Sequence, residues 1–212
     1  MFSSDDRVLV LAPHTDDGEF GCGGTLARYI EKGNEVYYVA FSSAEKSVPE
    51  GFSRDILRKE VKEATQLLGF SSNNLILFDY EVRNFLKYRQ EILEDMIKLN
   101  KEIRPNVVFL PSPNDTHQDH YAIAHEGFRA FKRVTMLGYE IPWNNLVFST
   151  TCFILLDEDH LTKKINSLQC YKSQQGKIYA TEEFIRSLAK TRGTQIGADY
   201  AEVFEVIRWV IK

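Results

Sequence analysis

Val8-Leu9-Val10-Leu11-Ala12-Pro13-His14-Thr15-Asp16-Asp17 passes, in ten residues, from a wholly apolar run to an imidazole and two carboxylates. A short strand with no polar position is covered on both faces, as in a parallel sheet packed between helices. The same junction recurs later, where Val107-Val108-Phe109-Leu110 leads to Asp115-Thr116-His117-Gln118-Asp119-His120. Two acidic-histidine clusters are thus each delivered by a buried strand. Open α/β sheets keep their chemistry at such carboxyl edges.

Working outward, the pattern alternates. Gly24 to Ile30 opens a helix that ends near Gly33, and Glu35 to Phe41 reads as a second strand. Residues 42–53 form a loop long enough to reach over a site. Ile56, Leu57, Val61, Ala64, Leu67 and Leu68 recur at helical spacing until Gly69, a stop signal. Asn74 to Phe78 is a third strand, Tyr88 to Ile103 an amphipathic helix, Val107 to Leu110 a fourth strand and Tyr121 to Val134 a helix. Beyond it, Leu146 to Leu156 is strand-like, Glu158 to Tyr171 and Glu182 to Thr191 are helical, and Tyr200 to Val210 closes as a strand. This alternation predicts a Rossmann-like α/β fold, a mostly parallel sheet with helices on both faces. No repeat or linker divides it, so one domain is expected over residues 1–212.

Composition narrows the function. A net charge of -4 offers no basic face for nucleic acid. No apolar stretch approaches the ~20 residues of a membrane span. The acidic start, Met1 to Arg7, lacks the features of a signal peptide. Three scattered cysteines fit a reducing cytoplasm. Cys22 lies near the first cluster, but its place between glycines suits a small buried thiol.

In the first cluster His14 and Asp17 are three apart and can turn toward one point, as ligands of a zinc-like ion. Asp16, between them, suits a general base beside a metal-activated water. Gly21-Cys22-Gly23-Gly24 departs from the dinucleotide G-x-G-x-x-G spacing, and carboxylates would repel a pyrophosphate there. The glycines are expected to let the backbone turn tightly beneath the loop. In the second cluster one of His117 and His120 completes a His/Asp/His ligand set. The other faces substrate, with Asp119 to orient it and keep it protonated. His125 and His160 are expected to be ordinary surface histidines.

Pro-His-Thr-Asp-Asp-Gly-Glu-Phe-Gly-Cys-Gly-Gly at 13–24, with His-Gln-Asp-His at 117–120, resembles the PIG-L/LmbE-like family of zinc-dependent N-acetylglucosamine-type deacetylases. Similar stretches extend through Arg58-Lys59-Glu60, Leu68-Gly69, Phe78-Asp79, Arg192-Gly193 and Tyr200 to Glu205. The resemblance implies hydrolysis of an acetamido group on a sugar or glycoconjugate. It implies His14, Asp17 and His120 as ligands of Zn2+ (another divalent ion such as Fe2+ left open) and Asp16 as general base. His117, paired with Asp119, would hold the oxyanion and serve as the imidazolium that can protonate the leaving amine. Family members often carry an arginine where this chain has Leu57. Arg54, Arg58 and Asp79 therefore stand as candidate substrate contacts. Some members place a tyrosine where Asp115 stands, and an anion cannot donate its hydrogen bond.

Trp143, in the aromatic stretch Tyr139 to Trp143, is a candidate to stack on a sugar ring or to pack in the core. Two rivals to the deacetylase are a metal-dependent phosphoesterase, which usually needs two metals, and a non-catalytic sugar-binding protein. The sugar and the oligomeric state, including a homo-oligomer, are left open.

Overall fold

The computed structural model describes residues 6–211, so most of the acidic start read as no signal peptide lies outside the described residues. Strand β1 (Arg7–Ala12) lies inside a seven-stranded sheet, two strands from one edge. Val8 to Ala12 are wholly buried, and their side chains alternate between two cores. Val8, Val10 and Ala12 face one, while Leu9 and Leu11 face the other. A buried valine or leucine is worth roughly 1.5–3 kcal/mol over an exposed one, which explains why the run tolerates no polar residue.

The first core takes its helical face from α1 (Asp17–Glu31) and α2 (Ile56–Leu68). The second takes it from α3 (Arg89–Ile103) and α4 (Gln118–Ala130). Strands β2 (Glu35–Ala40), β3 (Leu75–Leu77), β4 (Val107–Pro111) and β5 (Thr135–Tyr139) run parallel with β1. β6 (Cys152–Leu156) and β7 (Tyr200–Arg208) finish one edge, and β7 is antiparallel to both its neighbours. Helices α5 (Glu158–Gln169) and α6 (Glu182–Thr194) build a smaller third cluster.

The strand order β3-β2-β1-β4-β5-β7-β6 reverses direction between β1 and β4. Loops leaving those two strands therefore part to opposite sides and open a crevice at their carboxyl ends. Both acidic-histidine clusters occupy these loops.

Several boundaries differ from the sequence expectation. Helix α1 starts at Asp17, not Gly24. Its glycines are poor helix formers, yet close packing requires them: a Cβ on Gly18 would lie 2.6 Å from Tyr38, and one on Gly21 would lie 2.3 Å from Tyr139. They admit these side-chain contacts, and the backbone leaves helical values at Cys22, between Gly21 and Gly23. Helix α4 begins at Gln118 rather than Tyr121, because His117 caps it. Leu146 and Val147 are exposed and precede the strand expected to contain them. His160 is buried, not superficial: its Nε2 lies 2.5 Å from Glu31, and its Nδ1 accepts from Asp157 N.

Candidate active site

The two clusters converge. Asp17 Oδ2 lies 3.0 Å from His14 Nδ1 and 3.2 Å from His120 Nε2. Donors about 2.1 Å from a tetrahedral zinc-like ion stand about 3.4 Å apart. The three side chains therefore fit a common divalent ion in chemistry and in spacing.

A carboxylate behind each imidazole fixes its orientation. Asp119 Oδ2 is 3.0 Å from His14 Nε2, and Asp115 Oδ2 is 2.7 Å from His120 Nδ1. Each pairing leaves the opposite ring nitrogen to face Asp17, the arrangement that steadies metal-binding histidines. Asp119 is itself held by the amides of Arg83 at 2.6 Å and Phe85 at 3.3 Å. Arg83 adopts φ 69°, a rare conformation for a side chain other than glycine, and it presents that amide. Asp115 also accepts from His117 N at 2.8 Å, tightening the turn into α4.

These contacts revise one expectation. Asp119 does not pair its carboxylate with the His117 ring. Instead the Asp119 amide donates to His117 Nδ1 at 3.1 Å, making His117 the N-cap of α4. With Nδ1 accepting, the His117 proton resides on Nε2. Burial, then the charges of His120 and His14, push its pKa down to about 4. In the metal-free protein these causes favour the neutral His117 ring.

Burial would also lower His14 and His120, but the Asp17 charge and hydrogen bonds to carboxylates outweigh it. They raise His14 to about 9 and His120 to about 10. Burial opposes ionisation of Asp17, yet the same two imidazoles hold it well below the usual carboxylate range. Asp16 moves the other way, raised by burial and then by the Asp17 charge. Asp16 is the N-cap residue of α1 but makes no side-chain cap bond, so its carboxylate is not spent on the helix.

Glu19 lies behind this loop, fully buried, and burial raises it to about 8. Tyr38 and Tyr171 contact both Glu19 and the Thr15 carbonyl, which pins the loop from beneath. Cys22 is also buried, with Sγ 3.2 Å from the Gly18 carbonyl.

A cleft of about 330 Å³ opens over His14, Asp16, Asp17, His117 and His120. Its size is at the low end of the ~300–1,000 Å³ range of small-molecule sites. Trp143 and Tyr179 stack at 3.9 Å along one wall, with Phe20 set edge-on to Trp143 at 5.2 Å. Lys177 and Arg83 add two cations to the lining. The Trp143 loop is tied to the second cluster where Thr116 N and Oγ1 donate to the Asn144 carbonyl at 3.2 and 2.9 Å.

Arg54, Arg58 and Asp79 do not line this cleft. Arg58 instead pairs with Asp79 and with Glu45. His125 stacks on Tyr121 at 3.9 Å along α4 and takes no part in the cleft lining. Sequence reading missed Asp115 as a partner of His120, although its spacing before a helical i+5 histidine was visible. Lys177 and Tyr179 carried no motif.

Residues 9–131 match the family described as PIG-L: GlcNAc-PI de-N-acetylase. The chain is 29% identical over 171 residues to an uncharacterized deacetylase, YaiS, of Escherichia coli K12, covering 78% of this chain and 90% of that one. It is 27% identical over 143 residues to diacetylchitobiose deacetylase of Thermococcus kodakarensis, covering 65% of this chain and 52% of the relative. The fold matches a conserved protein of Thermus thermophilus, TT1542, with a TM-score of 0.82 and 25% identity, covering 98% and 97% of the two chains. A matched segment that carries both clusters, on this sheet, places the chain in the PIG-L family of de-N-acetylases.

Proposed function

We propose that the protein is a zinc-type metal-dependent hydrolase that removes the acetyl group from an N-acetylated amino sugar, releasing acetate and a free amine. The observation that carries this reading is the convergence of His14 Nδ1, Asp17 Oδ2 and His120 Nε2 beside two functional groups, Asp16 and His117, that face the cleft. When bound there, a divalent ion supplies Lewis-acid polarisation of the acetyl carbonyl and a nucleophile available at neutral pH.

The protein residues divide the remaining work. Asp16, with its raised basicity, takes the proton of the attacking water. His117 donates Nε2–H to the developing oxyanion as a neutral imidazole. Losing one such donor costs ~100- to 1000-fold in rate. A neutral His117 would become imidazolate if it gave up that proton, so Asp16 returns its own proton to the departing nitrogen. Asp119 and Asp115 keep His14 and His120 aligned. The Trp143–Tyr179 wall offers an apolar surface for the C–H face of a sugar ring.

A two-metal phosphoesterase is less well supported. A second candidate ligand set, His14, His117 and Asp119, reuses His14, and its Asp119 oxygen already accepts from His14 and Arg83. No described helix is long and apolar enough to cross a membrane. The free cysteines Cys22, Cys152 and Cys170 support work in the reducing cytoplasm. The deciding experiment incubates Zn2+-loaded protein with N-acetylglucosamine, N,N'-diacetylchitobiose and nucleotide- or lipid-linked N-acetylhexosamines. Acetate release in step with free amine supports the reading. Phosphate release with two metals per chain, or no product at all, overturns it.

A further inference from the structure

Helix α1 is interrupted. Cys22 has φ -149° and ψ 18°, far from helical values, and divides the element into a short first part, Asp17 to Gly21, and a longer second part. Such a break strands carbonyls on one side and amides on the other. Two buried side chains from distant elements meet those groups. Lys164 Nζ of α5 donates to the Phe20 carbonyl at 2.7 Å. Glu202 of β7 accepts from Gly24 N at 3.1 Å on Oε1 and from Thr25 N at 2.7 Å on Oε2.

Lys164 and Glu202 also pair with each other at 2.6 Å, each side chain only 7% exposed. The ammonium sits at the carbonyl end of the first part and the carboxylate at the amide end of the second, where the backbone dipoles favour each charge. A buried ion pair adds little net stability, because desolvation offsets its attraction. Stability alone therefore does not account for it. What it does hold is an angle. The first part of α1 carries Asp17, with Asp16 at its N-cap, and neither Lys164 nor Glu202 lines the cleft.

We infer that Lys164 and Glu202 are positioning residues that set the break in α1 and thereby aim Asp16 and Asp17 into the cleft. The inference rests on the proposed reading of Asp17 as a metal ligand.

The test compares wild type, Glu202→Gln, the paired Lys164→Met/Glu202→Gln variant and Leu161→Ala. The paired variant leaves no unmatched buried charge, so it keeps the fold if the single variant does not. Leu161→Ala opens a cavity on the same helix α5 at a fully buried residue outside the site. The Zn2+ Kd is measured by competition with a chromophoric chelator, alongside Tm and amide exchange across Asp17 to Gly21. Both Glu202 variants should bind Zn2+ about 10- to 100-fold more weakly, the range for losing groups that orient ligands. Exchange across Asp17 to Gly21 should quicken about tenfold or more. Leu161→Ala should lower Tm and leave Kd within about twofold of wild type. An unchanged Kd in the paired variant, or an equal shift in Leu161→Ala, overturns the inference. Wild type that binds no Zn2+ overturns the proposed function instead, and the exchange measurement then decides the pair alone: unaltered rates sink it.

Discussion

Asp115 Oδ2 lies 2.7 Å from His120 Nδ1, with both side chains almost fully buried. This contact turns His120 so that Nε2 meets Asp17. An orienting carboxylate thus stands two residues before His117. Asp115→Ala should weaken Zn2+ binding about 10- to 100-fold. Asp115→Asn, whose amide oxygen still accepts from Nδ1–H, should lose less. Metal competition measurements that find equal affinity in all three proteins would remove Asp115 from this role.

Asp16 and His120 should separate cleanly. Asp16→Asn should lower kcat by about 100- to 10,000-fold while metal content stays near wild type. His120→Ala should lose the metal together with the activity. Metal analysis of purified variants checks both, and equal metal loss in the two would refute the division of roles.

His117→Ala should reduce kcat about 100- to 1000-fold with little change in KM, as expected of a donor used mainly in the transition state. Because the His117 pKa is lowered to about 4, kcat should show no loss between pH 6 and 8 from deprotonation of an imidazolium. A descending limb in that interval that vanishes in His117→Ala would restore the imidazolium role.

Metal binding should release protons. His14 at about 9 and His120 at about 10 are both protonated at pH 7 in the metal-free protein. Binding through His14 Nδ1 and His120 Nε2 expels one proton from each, so calorimetry in buffers of different ionisation enthalpy should find about two per metal. The same shifts act on stability. Folded values above the ordinary 6.5 contribute stabilisation that is complete below pH 6.5 and disappears as pH rises through 9 to 10. Urea melts of metal-free protein should show this loss, and proton release near zero at pH 7 would contradict the assignment.

Trp143→Ala should raise KM for diacetylchitobiose about five- to tenfold, with kcat little altered, by removing the stacked wall. An unchanged KM across mono- and disaccharides would leave Trp143 as packing alone.

Much of this architecture was legible because β1 and β4 are apolar at every position past the first residue of β1, which only a doubly covered sheet explains. The paired clusters were legible because their loops follow those strands directly. Hidden features share a different cause: they depend on contacts distant along the chain. The first helix was expected to open at Gly24, whereas its start at Asp17 depends on Tyr38 and Tyr139, which press on Gly18 and Gly21. Asp119 was assigned to its neighbour in sequence, His117, whereas its carboxylate reaches back to His14. Arg58 and Asp79, offered as substrate contacts, satisfy one another.

The bonds from Thr116 to the Asn144 carbonyl carry a consequence for anyone redesigning this protein. The loop that bears Trp143 is fastened one residue away from His117. Grafting a new loop there to admit a different glycan would tug on His117, the proposed oxyanion donor, as well. Selectivity and turnover are mechanically yoked at that seam, so exchanges that spare Asn144 are the ones expected to leave the chemistry intact.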